Sequence, residues 1–278
     1  MSDIVVSADW VADRLDEVRI VDVRDPWEFE GIGHVPGAVN IPFDAFRADE
    51  HATASEGEED DGETDGDAEP TGMLPGATAF ADLLSEAGIE PDDEIVAYDD
   101  THGVFAARFL VTAELYGHPI ERLHLLDGDF SAWQLEHETT GDATPVEQTE
   151  YAVDPPAETP LVTVEEVAAA VDDPGAVIVD TREDWEYAEG HIPGAVRLDW
   201  RELVDDETRG LKPRDEIESL LDARGIDRHS RIVLYCNTAR RISHTYVVLR
   251  HLGYEELAFY EGSLTEWERA GRPLETNE

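Results

Sequence analysis

A passage near the start of the chain returns later with the same order of residue types, and this internal repeat constrains the fold more than any other feature. Residues 19–24 (RIVDVR) and 33–38 (GHVPGA) are matched by residues 177–182 (VIVDTR) and 190–195 (GHIPGA). The register between copies is 157 at the histidines and 137 between Tyr98 and Tyr235, so the first copy is about twenty residues longer. The chain is therefore predicted to contain two copies of one fold.

The repeat divides the 278 residues into two domains. We expect the first domain in residues 1–140, a proline-rich extended linker in 141–160 and the second domain in 161–278. The additional residues of the first copy fall in an insert at about 48–72, where Asp49 to Glu69 contains eleven acids and no Lys or Arg. Such a composition cannot form a core, so this insert is predicted to be a disordered surface loop.

Each copy alternates short apolar runs with segments of helical period, such as Thr163 to Val171, Arg214 to Arg224 and Arg240 to Leu252. This alternation predicts the α/β class, with a mainly parallel sheet in each domain and helices on both of its faces. Ligands of such sheets bind beyond the carboxyl ends of the strands. We therefore look for function at those ends.

The net charge of the chain is extreme. The sequence has 66 Asp and Glu but only 20 Lys and Arg, which gives a formal net charge of −46. Nucleic acid and anionic membranes are excluded as expected partners, since this surface repels phosphate. Self-repulsion of this size is screened by molar salt, so we interpret the composition as adaptation to a halophilic cytoplasm. The N-terminus has no signal-peptide pattern and no run is long enough to span a membrane, which also favours a cytoplasmic protein.

The single cysteine, Cys236, follows the apolar run 232–235 and precedes a helical pattern that begins near Arg240. This order predicts a strand, a tight loop and a helix N-terminus. A thiol there lies near unpaired backbone N–H groups and the positive end of a helix dipole, which favour the thiolate. Cys236 is therefore the candidate nucleophile. One cysteine without a Cys-x-x-Cys pair indicates neither an internal disulfide nor a zinc site, and we expect no metal or cofactor.

The two Asp-x-Arg and Gly-His-x-Pro-Gly-Ala passages, together with a Cys-x-x-x-x-Arg loop, resemble a two-domain rhodanese of the thiosulfate and 3-mercaptopyruvate sulfurtransferase family. The resemblance covers about Val5 to Leu274 except the acidic insert. It implies a silent first domain, which agrees with Asp99 standing where the second copy has Cys236. It also implies tandem rhodanese-like domains and transfer of a sulfane sulfur from a small anionic donor to cyanide or a thiol. We expect the protein to be a monomer.

The expected substrate-binding residues are those of the cysteine loop and one strand-end arginine. They are Asn237, Thr238, Ala239, Arg240, Arg241 and Arg182.

Four features of the expected site depart from the family pattern. Arg240 stands where a small or apolar residue is usual. Asn237 and Thr238 match neither the basic residues of thiosulfate-preferring members nor the small residues of mercaptopyruvate-preferring ones. Ala239 replaces a frequent glycine, and alanine tolerates positive φ poorly. Glu186 stands where an arginine is common, and a carboxylate opposes a dianionic donor unless it points away. The donor therefore stays open, but the tandem pattern resembles the thiosulfate branch of the family, so a thiosulfate sulfurtransferase is the expected enzyme.

Other prominent side chains have ordinary structural interpretations. His34 and His191 are predicted to be turn residues bonded to backbone, and His244 to be a buried support. Trp133 and Trp267 are predicted to pack in the core.

Two alternatives to a sulfurtransferase remain. A cysteine phosphatase also presents a thiolate before a helix, but its loop has five residues between Cys and Arg, whereas four separate Cys236 from Arg241. An arsenate reductase requires a resolving cysteine that this chain lacks. A non-catalytic rhodanese-like sulfur carrier or binding module is the other alternative, and the retained Cys236 argues against it.

Overall fold

The computed structural model describes residues 3–48 and 74–277. The acidic insert predicted at about 48–72 lies almost wholly outside the described residues.

Two α/β units follow one another along the chain, as the repeat predicts. The strands of the first unit are β1 (Val5–Val6), β2 (Arg19–Asp22), β3 (Val39–Asn40), β4 (Ile95–Tyr98) and β5 (Leu123–Leu126). Its helices are α1 (Ala8–Ala12), α2 (Pro26–Gly31), α3 (Ala77–Glu86), α4 (Val104–Leu115) and α5 (Asp129–Glu136). The strands of the second unit are β6 (Ala176–Asp180), β7 (Val196–Arg197), β8 (Arg231–Tyr235) and β9 (Leu257–Phe259). Its helices are α6 (Val164–Val171), α7 (Asp184–Glu189), α8 (Arg214–Ala223), α9 (Arg240–His251) and α10 (Ser263–Arg269). Short 3-10 helices cover Phe43–Phe46, Ile120–Arg122 and Trp200–Leu203.

Both sheets pair their strands in parallel, which confirms the predicted fold class. The first sheet has the order β1-β5-β4-β2-β3 and the second has the order β7-β6-β8-β9. All the ladders between these strands are parallel. Parallel order brings the carboxyl ends of β2 and β4 together in the first unit, and those of β6 and β8 together in the second.

Successive side chains of each central strand enter different hydrophobic layers because strand side chains alternate between faces. Val233 of β8 packs with α6 and α10 in an outer core, whereas its neighbours Ile232 and Leu234 pack with α8 and α9. In the first unit Val96 faces an outer core with α1 and α5, and Ala97 faces the opposite layer. Helices therefore cover both faces of each sheet.

The inner layers of the two units merge into one core. The inner cluster takes buried residues from both units, and α4 packs against α9 at its centre. This contact fixes how one unit sits on the other, so side chains of the first unit reach the end of β8.

The segment 141–160 contains no helix or strand. It is held against the first unit, since Thr144 donates to the carbonyl of Ala38 at 2.8 Å and the Tyr151 hydroxyl lies 2.8 Å from His118 Nδ1. None of the helices described above combines the length and the hydropathy that a membrane-spanning segment needs.

Candidate functional site

Cys236 is the first residue after β8 and lies in the four-residue connection 236–239 that leads into α9. It is buried, with 2% of its surface exposed. Its backbone N–H donates to Ser263 Oγ at 3.2 Å, and its carbonyl accepts from Leu264 N–H at 3.0 Å. The predicted strand, loop and helix N-terminus are thus observed, and the start of α10 holds the loop in place.

Ser263 and Thr265 were not among the predicted site residues. The Thr265 hydroxyl donates to the carbonyl of Asn237 at 2.9 Å, so both residues fix the backbone of the cysteine loop. A signal for Ser263 exists in the repeat, because Gly128-Asp129 aligns with Gly262-Ser263. In the first unit the Asp129 carboxylate accepts from His102 N–H at 3.0 Å and so holds the equivalent loop.

Ala239 turns the chain from the loop into α9 with φ 62° and ψ −5°. This left-handed conformation is the one expected to disfavour alanine, yet the loop adopts it and buries the residue fully. The carbonyl of Ala239 accepts from Ser243 Oγ at 2.9 Å. The connection closes without a glycine, at a conformational cost of roughly 1–2 kcal/mol.

Arg241 and Asn237 are held by one carboxylate, that of Glu186 on α7. Arg241 Nη1 donates to Glu186 Oε2, and Asn237 Nδ2 donates to Glu186 Oε1 at 2.7 Å. Burial pushes the pKa of Glu186 up, but hydrogen bonds from Arg241, the Glu183 N–H and Asn237 outweigh it and lower the pKa. The sequence left open whether the side chain of Glu186 points away from the site. The side chain instead faces the cysteine loop.

Arg240 lies at the other side of the loop, against the first unit. Its guanidinium carbon is 5.0 Å from the centre of the Phe105 ring on α4, a cation–π distance. Burial lowers the pKa of Arg240, the charges of Arg241, Arg47 and Arg201 lower it further, and the charge of Cys236 opposes them. The charges of three other arginines therefore act on Arg240, in a chain with a formal net charge of −46.

Arg182 is brought to the loop, but most of its donors are occupied elsewhere. It binds the Asp180 carboxylate at 2.7 and 3.0 Å and the carbonyl of Gly190 at 2.6 Å. Only Nη1 turns to the loop, where it lies 3.4 Å from Asn237 Oδ1. Arg182 therefore ties the end of β6 to the turn at Gly190, while Thr238 is exposed at the loop surface.

The equivalent loop of the first unit supplies an internal comparison. It has five residues, 99–103, between β4 and α4, one more than the loop of Cys236. The Asp99 carboxylate is buried in it and accepts four backbone N–H groups, from Thr101, Gly103, Phe105 and Ala106, at 2.7–3.0 Å. Burial raises the pKa of Asp99, although these four donors favour its charged form. A loop at this place in the fold can therefore enclose an anionic group with backbone donors.

The remaining predictions concern side chains outside the loop. His34 and His191 bond to backbone carbonyls through Nδ1 at 3.0 and 2.9 Å, as predicted for turn residues. Trp133 and Trp267 lie in the outer cores with 1% of their surface exposed, and His244 is fully buried beside Trp200. These structural interpretations are confirmed.

Comparison with known proteins agrees with this architecture. The protein-family model for the rhodanese-like domain matches residues 7–136 and 163–270 of this chain. A Haloferax volcanii protein provisionally named thiosulfate sulfurtransferase is 30% identical over 298 residues, which cover 98% of this chain and 96% of that protein. A thiosulfate sulfurtransferase of Corynebacterium glutamicum is 30% identical, covering 99% of this chain and 91% of that protein.

Solved structures show the same fold. A 3-mercaptopyruvate sulfotransferase from Escherichia coli superposes with a TM-score of 0.76 at 25% identity, covering 94% of this chain and 99% of that one. The anaerobic ergothioneine biosynthesis enzyme of Chlorobium limicola has a TM-score of 0.82 at 18% identity, covering 99% and 71%, and this likeness concerns the fold alone. Because one family model matches both units and full-length relatives share 30% of the sequence, the chain belongs to the rhodanese family.

Proposed function

We propose that the protein is a sulfurtransferase that moves a sulfane sulfur from thiosulfate or 3-mercaptopyruvate to cyanide or a thiol through a persulfide on Cys236. One observation carries the proposal. The only thiol of the chain lies at the carboxyl end of a central strand and shortly before a helix that begins with Arg240 and Arg241. Cationic surroundings and a helix N-terminus both favour a thiolate.

The first half-reaction needs only this nucleophile. With thiosulfate, the Cys236 thiolate attacks the outer sulfur, a new S–S bond forms, the old S–S bond breaks and sulfite leaves with the bonding electron pair. With 3-mercaptopyruvate, the C–S bond breaks and the enolate of pyruvate leaves and takes the thiol proton. In both cases the enzyme keeps a persulfide anion. Cyanide then attacks the terminal sulfur, thiocyanate leaves and the thiolate returns.

The persulfide anion requires stabilisation in a buried site. The first unit supports this role for the loop, because its equivalent connection encloses the Asp99 carboxylate with four N–H donors. We infer that the backbone of residues 237–241 serves the terminal sulfur in the same manner, with Asn237, Thr238 and Ala239 shaping the cradle. Arg240 and Arg241 would attract the anionic donor, and Arg182 would orient Asn237.

Mass spectrometry of the intact protein tests the proposal. After incubation with thiosulfate or 3-mercaptopyruvate and removal of the donor, we expect a gain of one sulfur atom, which cyanide removes. The Cys236→Ser variant should gain nothing, while retaining the circular dichroism spectrum of the wild type. If neither donor adds sulfur to the wild type, the proposal is wrong.

A phosphatase is the rival enzyme class, and the loop argues against it. Only four residues separate Cys236 from Arg241, and Glu186 already binds Arg241 and would oppose a phosphoryl dianion. An arsenate reductase would need a second thiol. Hydrolysis of p-nitrophenyl phosphate by the wild type, lost in Cys236→Ser, would favour the phosphatase instead. A protein that folds but neither transfers sulfur nor hydrolyses phosphate would fit a binding module.

A further inference from the structure

Glu186 is a carboxylate built into the wall of the cysteine loop. It is 7% exposed, and both of its oxygens are bound, one by Asn237 and the other by Arg241 and the Glu183 N–H at 3.1 Å. Two of these three donors, Asn237 and Arg241, belong to the Cys-x-x-x-x-Arg segment that begins at Cys236. An ionised carboxylate in this place cancels the charge of Arg241 as seen by a ligand at the loop.

The other arginines near the loop have carboxylate partners as well, with one exception. The pairs are Arg182 with Asp180 at 2.7 Å, Arg201 with Glu183 at 2.7 Å, and Arg47 with the mostly exposed Asp44 at 3.5 Å. Arg240 differs, since within residues 3–48 and 74–277 no carboxylate lies within 4 Å of its guanidinium, and an aromatic ring covers it. The arginine cluster therefore offers about one uncompensated positive charge to a ligand at Cys236.

We propose that Glu186 determines which donor charge the site prefers. The site favours donors with a single negative charge over the thiosulfate dianion. The inference rests on the proposed sulfurtransferase function and narrows its substrate class. The charge of Arg240 alone balances a monoanionic donor. A dianionic donor brings a second negative charge toward the Glu186 carboxylate, and no further unpaired arginine of the cluster balances that charge. Organic thiosulfonates and 3-mercaptopyruvate with its thiol protonated are donors of the preferred class.

Methanethiosulfonate is the matched probe, because it differs from thiosulfate by a methyl group in place of one charged oxygen. The transfer step is the same for both donors. The Cys236 thiolate attacks the outer sulfur, the S–S bond of the donor breaks and methanesulfinate leaves with the electron pair where sulfite would leave from thiosulfate. A difference in kcat/KM between the two donors therefore has two sources, the donor charge at the site and the leaving group. Only the contribution of the donor charge responds to a change at residue 186.

The test substitutes Glu186→Gln, which removes the charge and keeps a carbonyl oxygen to accept from Asn237. We expect kcat/KM for thiosulfate, divided by kcat/KM for methanethiosulfonate, to rise about tenfold at fixed ionic strength, since a freed Arg241 favours the dianion more. The matched control is Glu28→Gln. Glu28 holds the same third position of α2 and bonds the Asp25 N–H at 3.2 Å, but it lies in the silent unit. This control should leave the ratio unchanged, and an unchanged ratio in Glu186→Gln would overturn the inference.

Binding to a protein that cannot react separates this inference from the proposed function. Titration calorimetry of the two donors on Cys236→Ser should show tighter binding of methanethiosulfonate, and the double variant Cys236→Ser/Glu186→Gln should shift the preference toward thiosulfate. If the wild type forms no persulfide but this shift occurs, charge selection stands and the sulfurtransferase proposal fails. If the wild type forms a persulfide and Glu186→Gln shifts neither binding nor the kinetic ratio, charge selection fails alone.

Discussion

At the scale of single residues, the site depends on side chains whose surroundings differ from what their types prefer. Ala239 adopts a left-handed conformation that Gly103 takes in the equivalent place with φ 82°. Asp99 is a buried carboxylate that accepts hydrogen bonds from four backbone N–H groups. The repeat predicts where these residues stand. The repeat does not predict the conformations of these residues, because the conformations depend on the length of the loop between strand and helix. That length differs by one residue between the units.

His244 gives the clearest residue-scale prediction. It is fully buried on α9, its ring centre lies 5.3 Å from that of Trp200, and burial lowers its pKa to about 3, with the nearby His102 adding to the effect. The unfolded chain binds a proton at His244 near pH 6.5 and the folded chain does not, so stability from this group is present above pH 6.5 and is lost as pH falls. Each pH unit below 6.5 costs up to about 1.4 kcal/mol.

We therefore expect the free energy of unfolding of the wild type to fall by about 2 kcal/mol more than that of His244→Leu between pH 7 and pH 5. The difference between the two proteins matters, because the many carboxylates titrate in both. Urea unfolding at each pH, followed by circular dichroism, measures it. Parallel pH profiles for the two proteins would show that His244 does not stay neutral in the fold.

At the scale of elements, α4 and α9 hold the two units together by charge as well as by apolar contact. Arg108 on α4 is fully buried and binds Glu261 through two hydrogen bonds of 2.8 Å. On the same interface Glu114 accepts from Tyr246 at 3.0 Å and from Arg250 at 2.7 Å. A buried ion pair contributes little net stability compared with an apolar pair, but breaking it leaves one charge uncompensated.

This asymmetry makes a prediction for Arg108. The Arg108→Met variant should lose about 3–5 kcal/mol of unfolding free energy, because it breaks a buried ion pair and removes both hydrogen bonds that Arg108 donates to Glu261. The double variant Arg108→Met/Glu261→Gln should recover much of the loss. Chemical denaturation of the single and double variants measures both values. A double variant as unstable as the single one would assign the cost to lost packing of the arginine stem rather than to charge.

Elements were largely predictable from sequence, and the contacts between elements were not. The helix predicted over Arg240 to Leu252 is observed over Arg240–His251, and that over Thr163 to Val171 begins after Thr163, which caps it. Local patterns determine such bounds. The approach of Glu186 to Asn237 and Arg241 depends on where α7 lies relative to the start of α9. The contact of Phe105 with Arg240 depends on the docking of one unit on the other. No local pattern encodes either distance.

At the scale of the whole molecule, a shared inner core must hold together a surface that repels itself. The inner cluster joins both units, while the formal net charge of −46 acts against any compact state. Within the described residues, three arginines, Arg24, Arg108 and Arg182, are buried and paired with carboxylates, so their charges do not offset the acidic surface. The balance between core and repulsion is therefore set by the solvent.

Salt should decide that balance. We expect the midpoint of thermal unfolding to rise continuously as KCl increases from low concentration to the molar range, because the Debye length falls from about 30 Å at 0.01 M to about 3 Å at 1 M. Differential scanning calorimetry at each concentration measures the midpoint. Choline chloride at equal ionic strength is the control, since screening acts alike for both salts whereas specific binding of K⁺ would separate them. A midpoint equally high without salt would rule out the halophilic interpretation, because the core alone would then overcome the repulsion.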